Sequence, residues 1–335
     1  MKKIVALLIV VVLVVAAWSG GWLWGAGRIK DEIASLAARD GETAAKLTCG
    51  TTNVTGFPFR FDIECANATI LDQDVTVTVA GIRATFLAYN PTQVVFSTLG
   101  PVTIFDAFSG ASYRIDYTAN SGGASLTTDD IWRGLTGEGW RIGRISLAAD
   151  NLKWVDTVLG ENPVLSTAHA EIQIVDMPEQ HDAATGTAGL AGYAVLHEAT
   201  APAYGIADGE LSLEAELTKL PDDVRDYADA SILKFWQDQQ GELKLVSFKG
   251  TAGEDFVESS GAVKLAAGSH IDGSVSVKSK GLIERLGTSV PEDIKGLILG
   301  QPAADGSYSQ TLNIKAGIVF VGLVPVAMIP PLTAN

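Results

Sequence analysis

Cysteine, histidine and basic residues are all scarce in this chain, and each scarcity removes a class of chemistry. Cys49 and Cys65 are the two cysteines in 335 residues. They form no CxxC motif and have no further ligand residue at zinc spacing beside them, so neither a redox dithiol nor a zinc site is legible. The four histidines, His169, His181, His197 and His270, are scattered, and none belongs to HExxH or another short ligand pattern. A GxSxG elbow, a Walker loop and a GxGxxG following a strand are all missing. The expectation is a protein that is not an enzyme, with no catalytic residue, no metal and no cofactor. Lysine and arginine number 24 against 39 aspartates and glutamates, a formal net charge of −15. A surface of that sign repels polyanions, which disfavours a nucleic-acid partner.

Charge of either sign is absent from Ile4 to Gly27, just after Lys2 and Lys3. As a helix this run spans roughly 36 Å at about 1.5 Å per residue, enough to cross a hydrocarbon core of ~30 Å. The two lysines place the N-terminus in the cytoplasm by the positive-inside rule, and Trp18, Trp22 and Trp24 suit the headgroup layer at the exit. A cleaved signal peptide is the competing reading, with an apolar run from Ile4 to Ala16 and small residues at Ala17 and Ser19. The uncharged run continues well past a signal core, which favours a retained anchor. Both readings export the rest, where 22 of the 24 basic and all 39 acidic residues lie, a balance of −17.

Outside the cytoplasm a close pair of cysteines reads as a disulfide, and a Cys49–Cys65 bridge contributes ~3 kcal/mol in the chain-entropy model. Between the two stands Gly56-Phe-Pro-Phe-Arg-Phe-Asp-Ile-Glu-Cys65. Its alternation puts Phe57, Phe59, Phe61, Ile63 and Cys65 on one strand face and Arg60, Asp62 and Glu64 on the other. Pro58 cannot donate a ladder hydrogen bond and suits a strand start or an edge.

Period two dominates the chain beyond Cys65. Strands are expected in VTVTV from Val75, IRATF from Ile82, SYRIDYTA from Ser112, GRISLAA from Gly143 and EIQIV from Glu171. ELSLEAEL (Glu210 to Leu217) has one dry and one wet face. SQTLNIKAGIVF reads as one strand with Leu312, Ile314, Ala316, Ile318 and Phe320 in line. Such alternation belongs to antiparallel sheets with a solvated face. The predicted fold class is mainly β (α+β): extended, curved antiparallel sheets with a few packed helices, preceded by one N-terminal transmembrane helix.

The organisation expected is an anchor or signal peptide at 1–27, a helical stalk at 28–48 and an N-terminal β subdomain at 49–177. A loop or linker at 178–205, rich in Ala, Gly and Thr, then leads to a C-terminal β subdomain at 206–335. That last part carries a helix at 221–240, with Pro221 at its first position. Shorter helical candidates are Thr128 to Leu135, Lys280 to Leu286 and Pro291 to Leu299.

At GFPFRFDIEC the chain resembles a family of bacterial envelope proteins known as domain of unknown function 2125. That pattern has a membrane segment, a cysteine before a Gly-aromatic-Pro-Phe-Arg-Phe core, a second cysteine soon after and a Gly- and Pro-rich ending. Here these are Cys49, Gly56, Phe57, Pro58, Phe59, Arg60 and Phe61, then Cys65 and the run GLVPVAMIPPL from Gly322 to Leu332. AYNPTQVVFSTLGPVTI, from Ala88 to Ile104, adds to the likeness. The resemblance implies location and fold and supplies no catalytic residue; a fold-level analogy to AsmA-type anchored β-groove proteins implies lipid handling.

Three functions are weighed on this basis, a hydrolase or other enzyme having the least support. The first is a membrane-anchored periplasmic β protein whose partners are the bilayer and a lipid or other apolar ligand, serving envelope maintenance or transport. Alternatively the chain is a non-enzymatic scaffold or adaptor that binds an envelope protein partner. Against the first stands the plain fact that most apolar strand faces are ordinary core.

Overall fold

A computed structural model of the chain describes residues 2–126, 136–137, 139–228, 231–281 and 302–332. Helix α1 (Lys2–Ala37) is long and apolar enough to cross a membrane, and its side chains from Ile4 to Val15 are exposed. The valines and isoleucines of this run are middling helix formers in water. In hydrocarbon, however, a helix is one of the few backbones that satisfies every N–H and C=O internally. The helix runs without a break past Arg28 and ends at Ala37, earlier than the expected stalk limit of 48. Asp40 then accepts the N–H groups of Glu42 and Thr43, both at 3.0 Å. With Gly41 at φ 83°, this turns the chain into the first strand at Lys46.

The chain forms two compact units, Met1–Gly123 with Lys153–Asn162, and Ala124–Leu152 with Pro163–Asn335. In the first, β1 (Lys46–Thr55), β2 (Arg60–Asp72), β3 (Val75–Leu87), β4 (Asn90–Asp106) and β5 (Ser112–Asp116) pair in order, each antiparallel to the next. The two short strands expected from Val75 and Ile82 are one strand, β3. Gly81 marks a register shift within it rather than a turn, and a Cβ there would meet Leu99 at 3.0 Å. Strand β6 (Ala119–Leu126) pairs with β4, and residues 153–156 of β7 (Ile142–Asp156) pair with β5. Two small cores hold this unit: Ala26, Val54 and Phe61 with Trp22, Ile29, Ile63 and Phe86, and Cys65, Ala68 and Val79 with Leu47 and Cys49.

In the second unit β8 (Asn162–Asp176), β9 (Thr187–Ala201), β10 (Ile206–Pro221), β11 (Glu242–Ala252), β12 (Asp255–Leu265) and β13 (Ile271–Lys280) pair in sequence order. They are followed by β14 (Tyr308–Lys315), β15 (Ile318–Val321) and β16 (Val324–Met328). All these pairings are antiparallel. The fold class is mainly antiparallel β with an N-terminal apolar helix.

Three expectations are corrected here. The segment 178–205 is no linker: β9 runs through it, hydrogen-bonded to β8 and β10, and the units divide elsewhere. Its alanines and glycines hide the period because small side chains give little contrast between faces. Gly189 is nonetheless needed for its size, since a Cβ there would meet Gln180 at 2.8 Å. Nor is 221–240 one helix. Pro221 ends β10 opposite Thr187, a 3-10 turn covers Val224–Ala228, and α2 is confined to Ile232–Asp238. Proline's fixed φ and missing N–H suit a strand end as well as a helix start. Trp236 of α2 is buried with Leu220 and Leu265 and donates to the Thr218 carbonyl at 2.8 Å.

Lastly, SQTLNIKAGIVF is a hairpin, not one strand. Ala316 at φ 50° and Gly317 at φ 76° make a two-residue turn that sets Lys315 opposite Ile318, as the right-handed twist of hairpins favours. The helical candidates at 128–135 and 291–299 lie outside the described residues, as does 282–286; Lys280 ends β13.

Candidate functional site

The aromatic motif is a turn before it is a strand. Thr55 lies opposite Asp62 in the β1–β2 ladder, which leaves residues 56–61 to reverse the chain. Gly56 has φ 100°, and a Cβ there would press on Arg60 and Asp62; only glycine fits without strain. Phe57 and Phe59 therefore sit in the turn, off the strand face expected for them, and are exposed, whereas Phe61 and Cys65 on β2 are buried.

That turn is clasped by the helix. Trp18 Nε1 donates to the Pro58 carbonyl and Trp22 Nε1 to the Arg60 carbonyl, each at 2.9 Å. Trp22 stacks on Phe61 with centroids 5.1 Å apart and meets Phe57 edge-on at 5.5 Å, while Trp18 lies 6.5 Å from Phe59. Phe61 also stacks on Phe86 at 5.1 Å. Gly25 leaves room for the Phe61 ring, since a Cβ there would stand 3.1 Å from it. Of the three tryptophans singled out in the sequence, Trp24 takes no part in this ring cluster and points outward. Arg60 pairs with Asp62 at 2.7 Å. A disulfide joins Cys49 to Cys65 with Cα atoms 5.2 Å apart, tying β1 to β2 three register positions from direct opposition.

The second unit holds an apolar cavity of about 350 Å³, within the size range of small-ligand pockets. The ladder sets Leu196, Leu211, Gly250 and Val257 side by side across β9, β10, β11 and β12. Ala199, Ala201, Gly209 and Ala252 keep the floor low, Leu165, Ile206, Phe248 and Phe256 form walls, and Glu210, Asp255 and Lys280 are the charged members of the lining. Among the described residues, the α-helix that packs on this unit's strands is α2, at Leu220 and Leu265. Val275, Val277, Leu312 and Ile314 on β13 and β14 are half-buried while their alternate neighbours Ser274, Ser276, Thr311 and Asn313 are exposed.

Sequence reasoning missed a histidine pair. His169 and His197 lie directly opposite on β8 and β9, their rings stacked at 6.0 Å. His169 Nδ1 meets Asp150 Oδ1 at 2.7 Å and His197 Nδ1 meets Glu210 Oε2 at 2.5 Å. The Glu198 N–H and then His197 hold the Glu210 carboxyl below the usual range. No group of three metal-ligating side chains converges among the described residues, so the row is a polar ladder on the strands. No short spacing announced it; only the β8–β9 register makes neighbours of residues 28 apart. His181 bonds Asp176 at 2.7 Å. The acidic pair Asp222 and Asp223 is also accounted for by partners, Arg141 at 2.9 Å and Arg225 at 2.5 Å.

The family model for uncharacterised proteins conserved in bacteria (DUF2125) matches residues 22–330, and the chain belongs to that family. No curated protein and no solved structure matches it.

Proposed function

We propose that this member of the DUF2125 family is a single-pass protein of the bacterial inner membrane, N-terminus in the cytoplasm and the bulk of the chain in the periplasm. In this reading it holds an acyl chain or another apolar ligand for the cell envelope and catalyses no reaction. The observation that carries it is the cavity over β9 to β12, where glycine and alanine on the floor leave space that leucine and phenylalanine walls keep apolar. Burying an acyl chain there gains about 0.8 kcal/mol per methylene removed from water. The charged groups in the lining, Glu210, Asp255 and Lys280, suit a ligand with one polar end.

Retention of the anchor is part of the same proposal. Cleavage near Ala17 or Ser19 would leave Trp22 and Ala26, members of a folded core with Val54 and Phe61, on a frayed new terminus. Trp18 and its bond to Pro58 would be lost or left at the very end of the chain.

The test compares the full chain, purified from membranes, with Gly250→Val and Ala252→Leu, which fill the cavity from its floor. Mass spectrometry of organic extracts should find a lipid or other apolar molecule enriched over bulk membrane lipid in the parent and depleted in both variants, at unchanged melting temperature. Identical extracts from parent and variants would end the ligand reading, because lipid merely surrounding the helix does not depend on residues 250 and 252.

A further inference from the structure

The clasp between α1 and the β1–β2 turn sets the depth of that turn, given the reading of α1 as a membrane span. A hydrocarbon core of ~30 Å takes up about 20 helical residues, and the uncharged run is Ile4–Gly27. If the core begins at Ile4 it ends near Leu23, and Trp18 lies about 8 Å below that boundary at about 1.5 Å per residue. If instead it ends at Gly27, Trp18 lies about 14 Å below. Trp22 stays under the boundary on either placement. Trp18 and Trp22 are the residues that hold the Pro58 and Arg60 carbonyls at 2.9 Å, so the turn lies at their level.

We infer that residues 56–60 are seated inside the leaflet from which the folded chain emerges, with the Phe57 and Phe59 rings against lipid. Their exposure, 52% and 60%, would be an apolar liability in water and is the expected state in acyl chains. Four of the five carbonyls of residues 56–60 have partners that suit them to that medium, where an unmet polar group costs several kcal/mol. The Gly56 carbonyl accepts from Arg60 N–H at 3.1 Å, the Phe59 carbonyl from Ala88 N–H at 2.9 Å, and the Pro58 and Arg60 carbonyls from the two indoles. Pro58 has no N–H to satisfy. Arg60, the one charge in the turn, is paired with Asp62 at 2.7 Å, and its stem is long enough to carry the guanidinium up to the headgroup layer. At the same level an apolar crevice of about 610 Å³ lies along the helix among Val14, Ala17, Gly21, Phe61 and Ala88, open to the same acyl chains. The turn is therefore a second membrane contact that fixes how the first unit stands on the bilayer.

The test places a benzophenone-bearing phenylalanine analogue at 57 or at 59 of the full chain, with Phe108, an 89% exposed turn residue of the same unit, as control. Native membranes are irradiated and protein adducts are identified by mass spectrometry; two label sites guard against one that disturbs folding, which a non-reducing gel for the disulfide reports. Phospholipid adducts several-fold richer at 57 and 59 than at 108 are expected. Equal or absent lipid adducts in protein that resists carbonate extraction would overturn the turn's placement while leaving the span intact. Protein released by carbonate would remove the span and the inference together.

Discussion

Replacing Cys49 and Cys65 together by alanine should loosen the β1–β2 hairpin selectively. The bridge spans a sequence separation of 16, for which the chain-entropy relation gives about 3 kcal/mol. Strand β1 ends the strand order of the first unit and is paired with β2 along Lys46 to Thr55, so the bridge reinforces a ladder that frays from one free side. The lost sulfur contacts around buried Cys65, Ala68 and Val79 add less than a leucine truncation would, about 1 kcal/mol. At about 1.4 kcal/mol per tenfold, these two losses together, about 4 kcal/mol, should shift the local opening equilibrium of residues 46–72 toward the open form by roughly five hundred- to a thousandfold.

Hydrogen exchange by mass spectrometry in detergent, without reductant, reads this directly, and peptides from 242–265 in the second unit serve as internal control. Protection in 46–72 should collapse while the control changes little. Exchange in 46–72 within about threefold of the parent would refute the magnitude, and equal losses in both regions would refute the locality. Thiols of the parent that alkylate before reduction would remove the premise.

Ala316 pays the left-handed penalty of a residue with a Cβ at φ 50°. Ala316→Asn, which tolerates that conformation, should stabilise the chain by about 1 kcal/mol, raising the melting temperature by about 2–4 °C; a decrease would contradict the turn. Gly241→Ala would drive a methyl into the Trp236 indole and disturb its bond to Thr218. That should cost about 3 kcal/mol, and an unchanged thermal transition would show the contact to be wrong. Burial first, then the charges of Asp176, Asp222 and Asp223, pushes the Tyr227 phenol up to about 12 from 10.0. The unfolded chain therefore loses that proton first, and stability falls as pH rises through the window between those two values. Tyr227→Phe should abolish that alkaline loss in denaturant titrations, and a tyrosinate absorbance curve without a late step would count against the burial.

Strand text was legible wherever the two faces differed in polarity. ELSLEAEL in β10 and VTVTV in β3 announce themselves because leucine and valine alternate with glutamate and threonine. Where the contrast fails, so does the reading: β9 is built of alanine and glycine, and its existence follows from the partners on each side rather than from its own period. Ala316 preserved the alternation across a turn and so concealed it, although the neighbouring Gly317 was the available signal. Pro221 fits both a helix start and a strand end, and only its pairing with Thr187 decides between them. The cavity and the His169–His197 pair depend on register between strands, which period-two text leaves open by any even number of residues.

The two cysteines and the Gly56–Phe61 motif, a bridge and a strand by sequence alone, make mechanical sense as one device. The reversal at 56–61 brings the tip of the β1–β2 hairpin to the indoles of Trp18 and Trp22, which stand 40 and 38 residues from their carbonyl partners. A tip gripped by a helix transmits any pull on that helix into the hairpin, and an end strand paired on one side is poorly suited to bear it. The Cys49–Cys65 bridge lies just beyond the tip, where it turns two hydrogen-bonded strands into a covalent loop. With α1 as the proposed membrane anchor, such a joint would hold the folded unit in one orientation, whereas a bare linker would let it rotate freely. The aromatic tip, the glycine that lets the chain reverse, and the flanking cysteines therefore belong together for a single mechanical reason.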